Sequence, residues 1–356
     1  MLPASLSPFP HASPIAVAHT RTPIMGSLFL LIDIDNTLYE YSETGFHHEM
    51  HDRIFAFAQQ KVGLTAEQAE RLSRKYWLNY GLSLYGYVKE YNVDAKEYSD
   101  FVHQCSYDKL HYNKPLIDML LSMQYAPEDA RGHDEPRSTS IDHLYYFTNA
   151  NHSHARSVLD AQGLRPIFTR PRPVGLPVKE SHPVGEQAGA EDQVEWLGFS
   201  YEDQWRLTHP EIANKPMRRA YEAIYKVIED QVAEDAALVA TTTTAGSESA
   251  FASSSALRNS GSAEEVKNKR AHLRPENFVM VDDSLMNIDA PLALGWSAVW
   301  YAHDTQELPT DAKDNVSAPL YAAAVASGRL QVIRNILELR AAVERIREAN
   351  SRSTSS

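Results

Sequence analysis

Only one cysteine, Cys105, occurs in 356 residues, so no intramolecular disulfide can form and nothing ties the chain to an oxidising compartment. A lone mid-chain cysteine reads as a small buried hydrophobe. Long apolar runs are missing as well, since no stretch reaches the ~18 consecutive apolar residues of a membrane span. Positive charge is in deficit: 34 Lys and Arg stand against 47 Asp and Glu, for a net charge of −13. That balance argues against a nucleic-acid binder, which usually shows a basic face. It leaves an anionic substrate open, because a bound metal and a few local cations can dominate a site. Residues 1–27 contain no acidic residue and only Arg21 as a full positive charge. Their Pro, Ser and Ala predict a disordered tail rather than the Arg-rich amphipathic presequence of a mitochondrial protein. A soluble protein of the cytoplasm is expected, with the nucleus as a second location.

What is present is an ordinary apolar share, 43%, enough for a sizeable core. The run Leu28–Ile32 is continuously apolar and breaks sharply into Asp33-Ile-Asp-Asn-Thr37. That pattern predicts a buried parallel strand whose carboxyl end opens into a polar loop. Similar runs recur at Leu144–Phe147, Phe278–Val281 and Ala298–Tyr301. Ligands of open α/β sheets gather beyond the carboxyl ends of the strands, so three polar strand ends could share one site.

Helical spacing of Phe46, Met50, Ile54, Phe57, Ala58 and Val62 predicts one helix, and Thr65 with Gln68 reads as a capping box opening a second that Gly81 stops. Asp94 caps a third helix through His103, and Pro115 suits the first turn of a fourth. Further helices are expected at 151–162, 216–234 and 330–349. Residues 43–115 thus form a predicted all-helical module inserted in an α/β core that spans 28–42 and 116–349. Within that core, 171–210 and 238–264 read as insertions, the second a low-complexity surface loop, although Trp196, Phe199 and Trp205 suggest that part of the first packs. Residues 350–356 read as a second disordered tail.

Four segments carry chemistry. After the first strand, Asp33 and Asp35 can flank one reactive centre, one carboxylate attacking phosphorus and the other, protonated, donating to the leaving oxygen. The bland alternative is an acidic turn that caps a loop. At the second strand end, the hydroxyl of Thr148 and the amide of Asn149 can hold a phosphoryl oxygen, or simply cap the next helix. Lys215, before Pro216, could neutralise both phosphate and nucleophile, although a lone lysine is usually solvated. Asp282-Asp283 after the third strand, with Asn287 one helical turn on, suit a hard divalent cation such as magnesium, whose protein ligands are typically one or two carboxylates.

In this order, Asp33-x-Asp35-x-Thr37, Thr148, Lys215 and Asp282-Asp283 resemble the signatures of the haloacid dehalogenase superfamily. The resemblance implies a Rossmann-like parallel-sheet core with the helical module as a cap between the first and second signatures. It makes Asp33 the nucleophile that forms an aspartyl-phosphate, and Asp35 the acid and later the base. Thr148, Asn149 and Lys215 then bind the phosphoryl group. Magnesium is held by Asp33, the backbone carbonyl of Asp35 and Asp283, with Asp282 and Asn287 supporting. A second Asp at position 35 marks phosphate-ester members, because halide departure needs no proton.

Phe29–Tyr39, Asn79-Tyr-Gly81, Phe147-Thr-Asn-Ala150 and Val281-Asp-Asp-Ser284 resemble more closely the fungal and plant pyrimidine 5′-nucleotidase-like branch. The substrate implied is a nucleoside 5′-monophosphate, UMP or CMP by preference. A sugar phosphate or lysophosphatidate is the alternative. In the cap, Asn79, Tyr80, Gly81, Leu82 and Ser83 form the expected substrate loop, with Tyr85 and His48 as further candidates. His47-His48-His51 and His152-His154 lack acids or Cys to complete a tetrahedron and read as surface residues rather than zinc ligands. A non-catalytic scaffold is opposed by the presence of every reactive residue, and a mutase would reveal itself by an isomerised product.

Overall fold

The computed structural model describes residues 28–124, 141, 143–171, 194–245, 273–303, 306–311, 313 and 315–354. The expected N-terminal tail, residues 246–264 of the second insertion and most of the first insertion lie outside the described residues. By its contacts the chain divides into residues 25–228 with 272–356, and residues 1–24 with 229–271. The first unit holds everything below except the C-terminal part of one long helix.

The apolar run after Leu28 forms β1 (Phe29–Ile32), buried at every position. A helical segment follows: α1 (Tyr41–Thr44), α2 (Phe46–Gln60), α3 (Ala66–Tyr80), α4 (Ser83–Tyr91) and α5 (Ala95–Val102). Thr65 and Gln68 make the reciprocal capping box that starts α3, and Gly81 ends it at φ +70°, where a side chain would be strained. Asp94 caps α5 by accepting from Glu97 N. These helices enclose a cluster of their own, including Phe57, Ala69, Tyr76, Leu84, Tyr87 and Tyr98. Gly86 lets α4 lie against the ring of Tyr76, since a Cβ there would come within 2.0 Å of it.

The chain continues through α6 (Lys114–Gln124), β2 (His143–Phe147), α7 (His152–Ala161), β3 (Thr169–Pro171), β4 (Val194–Trp196), β5 (Gly198–Phe199), α8 (Tyr201–Thr208) and α9 (Arg218–Ala245). It ends with β6 (Phe278–Asp282), α10 (Met286–Ala293), β7 (Ser297–Tyr301), α11 (Ala318–Ala326), β8 (Leu330–Ile333) and α12 (Leu339–Thr354). Six strands form one parallel sheet in the order β5-β2-β1-β6-β7-β8, while β3 and β4 pair antiparallel beside it in a small ribbon. Alternate residues of the large sheet face opposite layers. Leu30, Ile32, Leu144, Tyr146, Val279 and Val281 meet apolar residues of α6, α7 and α12. On the other face, Phe147 meets Tyr221 of α9 edge-on, while Phe278 lies tilted against Tyr225 of α9 and stacks on Trp296. A parallel sheet covered on both faces explains why its strands read as unbroken apolar runs.

Several expectations are corrected. Residues 330–349 are not one helix: Leu330–Ile333 is the edge strand β8, and the helix starts at Leu339. α9 continues through Thr241–Thr244, where a surface loop was expected, and α12 reaches Thr354, through most of the expected tail. Residues 194–208 are not an excursion from the core, since β5 pairs with Tyr146 and Phe147 at the sheet edge. No helix among the described residues is long and apolar enough to cross a membrane.

Candidate active site

The site lies where β1, β2 and β6 end. Asp33 N still donates to Val281 O at 2.9 Å, so the ladder holds the backbone of Asp33 in place. The chain then turns, with Leu38 N donating to Ile34 O and Asn36 in the left-handed region at φ 60°. That conformation is one an asparagine tolerates. Its side chain braces the turn, accepting from Tyr41 N at 3.0 Å and donating to Asp283 Oδ2 at 2.6 Å.

Lys215 is 1% exposed and bridges two carboxylates, donating to Asp33 Oδ1 at 2.6 Å and to Asp282 Oδ2 at 2.7 Å. Despite burial, which lowers its pKa, Asp282 and Asp33 raise it above the ordinary lysine value, so the ammonium persists. Asp282 is fully satisfied: its other oxygen accepts from Ser284 N and Asn287 Nδ2, both at 2.9 Å. The bland reading of Lys215 as a solvated lysine is therefore wrong.

Oxygen atoms of Asp33, Asp282 and Asp283 lie within 4.8 Å of one another. Three carboxylates against one ammonium leave two negative charges in excess. Burial, with Asp282 and Asp35 adding repulsion against the pull of Lys215, pushes the Asp33 carboxyl up to about 8. Burial, Asp282 and Asp33 likewise raise Asp283 far above the carboxylate range. An all-oxygen donor set with excess charge suits a hard divalent cation. Because the protein already saturates Asp282, Asp33 and Asp283 are the carboxylates left to meet it.

Asp35 faces a different environment. Tyr39 OH donates to its Oδ1 at 2.7 Å, and His154 Nε2 sits 2.7 Å from the same oxygen. Burial pushes the Asp35 carboxyl up, but His154 and Tyr39 outweigh it and hold the group below the usual carboxylate range. Tyr39 keeps its proton, because burial and the charge of Asp35 raise its pKa. His154 is wholly buried, which overturns its reading as a surface residue. His152, in the same short motif, instead reaches Asp203 at 2.9 Å. The rings of His47 and His48 lie tilted with centroids 3.8 Å apart, His48 exposed, and neither joins the acidic cluster.

Thr148 is buried at the end of β2, and its Oγ1 accepts from Ala150 N at 3.0 Å, which leaves its hydroxyl proton for another partner. Asn149 differs from expectation: its amide donates to Lys215 O at 2.8 Å and Gly81 O at 3.2 Å. One of the donors that were to hold a phosphoryl oxygen thus ties the Gly81 loop to the core, and the other braces the backbone of Lys215. Asn214 acts in parallel, donating to Tyr80 O at 2.8 Å and to Lys215 O. Gly81 packs so closely here that a Cβ would fall 2.3 Å from Pro216 Cδ.

The other cap candidates divide. Leu82 and the exposed Asn79 flank this contact. Ser83 does not: it is buried as the first residue of α4, donating to Ser73 O at 3.1 Å. Tyr85 packs between Tyr80 and Trp205 of α8, so its ring serves cap docking. Residues missed by sequence reasoning are His154, Asn36 and Asn214. Asn36 lies within the first signature, Asn214 directly before Lys215 and His154 a few positions after Thr148, and that adjacency was the available signal.

No family model matches the chain. Phosphate metabolism protein 8 of Saccharomyces cerevisiae is 29% identical over 142 residues, 38% of this chain and 40% of the relative. The chain thus matches less than half the length of that curated relative. A conserved haloacid dehalogenase-like protein of unknown function from Agrobacterium tumefaciens is a structural neighbour at 12% identity, covering 89% of this chain and 98% of its own, with a TM-score of 0.36. At that score the likeness adds no weight. The parallel sheet and the meeting of the four segments at the carboxyl ends of β1, β2 and β6 agree with the fold that the resemblance to the haloacid dehalogenase superfamily implied.

Proposed function

We propose that the chain is a magnesium-dependent phosphatase acting on a nucleoside 5′-monophosphate, with UMP or CMP preferred. The observation that carries the phosphatase reading is Asp33, with one oxygen fixed by Lys215 and its carboxylate beside Asp283. Its other oxygen, Oδ2, lies 3.4 Å from Thr37 Oγ1 and is the one placed to attack.

Asp33 Oδ2 forms the bond to phosphorus as the bond to the leaving oxygen breaks, and Asp35, whose carboxyl the anionic phosphate beside it would push back up, gives that oxygen a proton. Water then attacks phosphorus, Asp35 takes the water's proton, and the bond to Asp33 breaks to release phosphate. Lys215 and the Thr148 hydroxyl stabilise charge on the transferring oxygens. Asp33, the Asp35 carbonyl and Asp283 would hold magnesium, which supplies further neutralisation of those oxygens. The nucleotide part of the reading rests on the resemblance of Phe29–Tyr39, Asn79-Tyr-Gly81, Phe147-Thr-Asn-Ala150 and Val281-Asp-Asp-Ser284 to the pyrimidine nucleotidase-like branch. The name of the yeast relative agrees with a phosphorylated substrate.

The test is phosphate release from UMP, CMP, AMP, GMP, sugar phosphates and lysophosphatidate, with magnesium or EDTA. Magnesium-dependent release favouring UMP and CMP supports the proposal. Release from other esters only removes the nucleotide part, and no release from any ester refutes it.

A further inference from the structure

We propose that His154 is a positioning residue for the phosphoryl-transfer reaction, aiming the carboxyl of Asp35 at the leaving oxygen. This rests on the phosphatase reading above. Three observations lead to it. First, His154 is wholly buried yet polar, and such a side chain costs stability unless both ring nitrogens find partners. Both do: Nε2 meets Asp35 Oδ1 at 2.7 Å, and Nδ1 meets Tyr107 OH at 3.1 Å.

Second, the ring is clamped from behind. Tyr107 OH donates to His103 O at 3.0 Å, and the His103 ring lies 4.7 Å from that of His154. His103 is in turn fixed through Nδ1 to Ser99 O at 2.9 Å. The Phe46 ring, 5.9 Å away, completes the wall. The backbone is fixed as well, since His154 N donates to the Asn151 cap at 2.7 Å. An aromatic side chain held at both nitrogens, on its face and at its backbone has one orientation, and it presents Nε2 to Asp35.

Third, the two partners of Asp35 converge on one oxygen. Tyr39 and His154 both address Oδ1, so the carboxyl is anchored at one end and its Oδ2 is directed away from them. An acid–base group works only within hydrogen-bond reach of the proton it transfers, so fixing which oxygen points outward fixes the catalytic geometry. His154 touches neither phosphorus nor leaving group; it acts through Asp35. It sits on α7, directly after the second signature, and so couples the first two signature segments through a side chain.

Asn and Gln separate this role from mere packing. In His154→Gln the amide nitrogen reaches toward the place of Nε2 and keeps the hydrogen bond to Asp35. In His154→Asn the shorter side chain keeps polarity and the Tyr107 side but falls short of Asp35. kcat/KM reports the step in which the leaving group departs. With a nucleoside monophosphate, whose alkoxide needs a proton, His154→Asn is expected to lose ~10- to 100-fold. With 4-nitrophenyl phosphate, whose leaving group departs unprotonated, kcat/KM should fall by no more than about threefold. His154→Gln should recover most of the loss on the nucleotide.

Equal losses on the two esters, or no loss in His154→Asn, would overturn the proposal. Failure of His154→Gln to outperform His154→Asn would do the same. If His154→Asn does not fold, Tyr39→Phe, which removes the other partner of Oδ1, must show the same ester-dependent loss; equal losses there also overturn it. Wild-type protein inactive on every ester would instead refute the phosphatase reading, and this proposal with it.

Discussion

Replacing Lys215 by Met is the sharpest physical test of the acidic cluster. The ammonium is 1% exposed, sits 5.3 Å over the Phe147 ring and bridges two carboxylates that are themselves almost inaccessible. A thioether keeps the packing on Phe147 but leaves Asp33 and Asp282 facing each other without their shared cation. Breaking a buried pair from one side typically costs about 3–5 kcal/mol, because the remaining charge is uncompensated. Asp282 retains Ser284 N and Asn287, so the loss concentrates on Asp33. Urea unfolding of the two proteins in EDTA at pH 8 measures it. Adding Asp33→Asn to the Lys215→Met protein should restore at least half of the lost stability. A cost below about 1 kcal/mol, or no recovery in the double variant, would refute the account of the cluster as a strained charge balance.

Asp33→Asn alone should abolish phosphate release from any ester that wild type hydrolyses, yet raise the stability of EDTA-treated protein; normal turnover in this variant ends the nucleophile assignment. The Asp33 carboxyl rises from 3.8 to about 8 in the fold, so the metal-free fold holds a proton that the unfolded chain has released, and its stability falls as pH rises across that window. Magnesium should therefore raise the melting temperature more at pH 8 than at pH 5.5, and a shift that ignores pH would contradict this. Gly81→Ala should lower stability by about 1–2 kcal/mol from the left-handed backbone alone. Its Cβ would also push the loop off Pro216, so kcat/KM should fall at least ~10-fold, measured by steady-state kinetics. Unchanged kinetics would show that the cap contact does not set the site.

Much of the core was legible because β1, β2, β6 and β7 are short apolar runs bounded by polar breaks, a pattern that burial on both faces imposes. β5 was not: two residues, Gly198 and Phe199, carry no period, and only pairing with β2 makes them a strand. β8 was absorbed into a helix because Leu330-Gln-Val-Ile333 precedes a true amphipathic helix with no Gly or Pro between them. Residues Ala318–Ala326 are apolar almost throughout, so no face stood out. α4 was hidden by Gly86, which costs helix propensity but permits contact with Tyr76. At the site, residue types and order announced Asp33, Asp35 and Asp282-Asp283. Their partners did not announce themselves: His154 lies 119 residues from Asp35 and Lys215 lies 182 from Asp33, and nothing local distinguishes a paired side chain from a solvated one.

The central place of β1 also governs when the site can assemble. Among the described residues β1 is the first strand made, yet its neighbour β6 follows far behind it, and Asn36 meets Asp283 across 247 residues. At a ribosomal rate of about 5–20 residues per second, roughly 12–50 s separate the two. Throughout that interval one edge of β1 has no strand to pair with, an exposure that invites association with other chains. Asp33 likewise waits for Lys215 and Asp283. The sheet therefore closes around β1 only after the segment that carries Asp282 and Asp283 has been made.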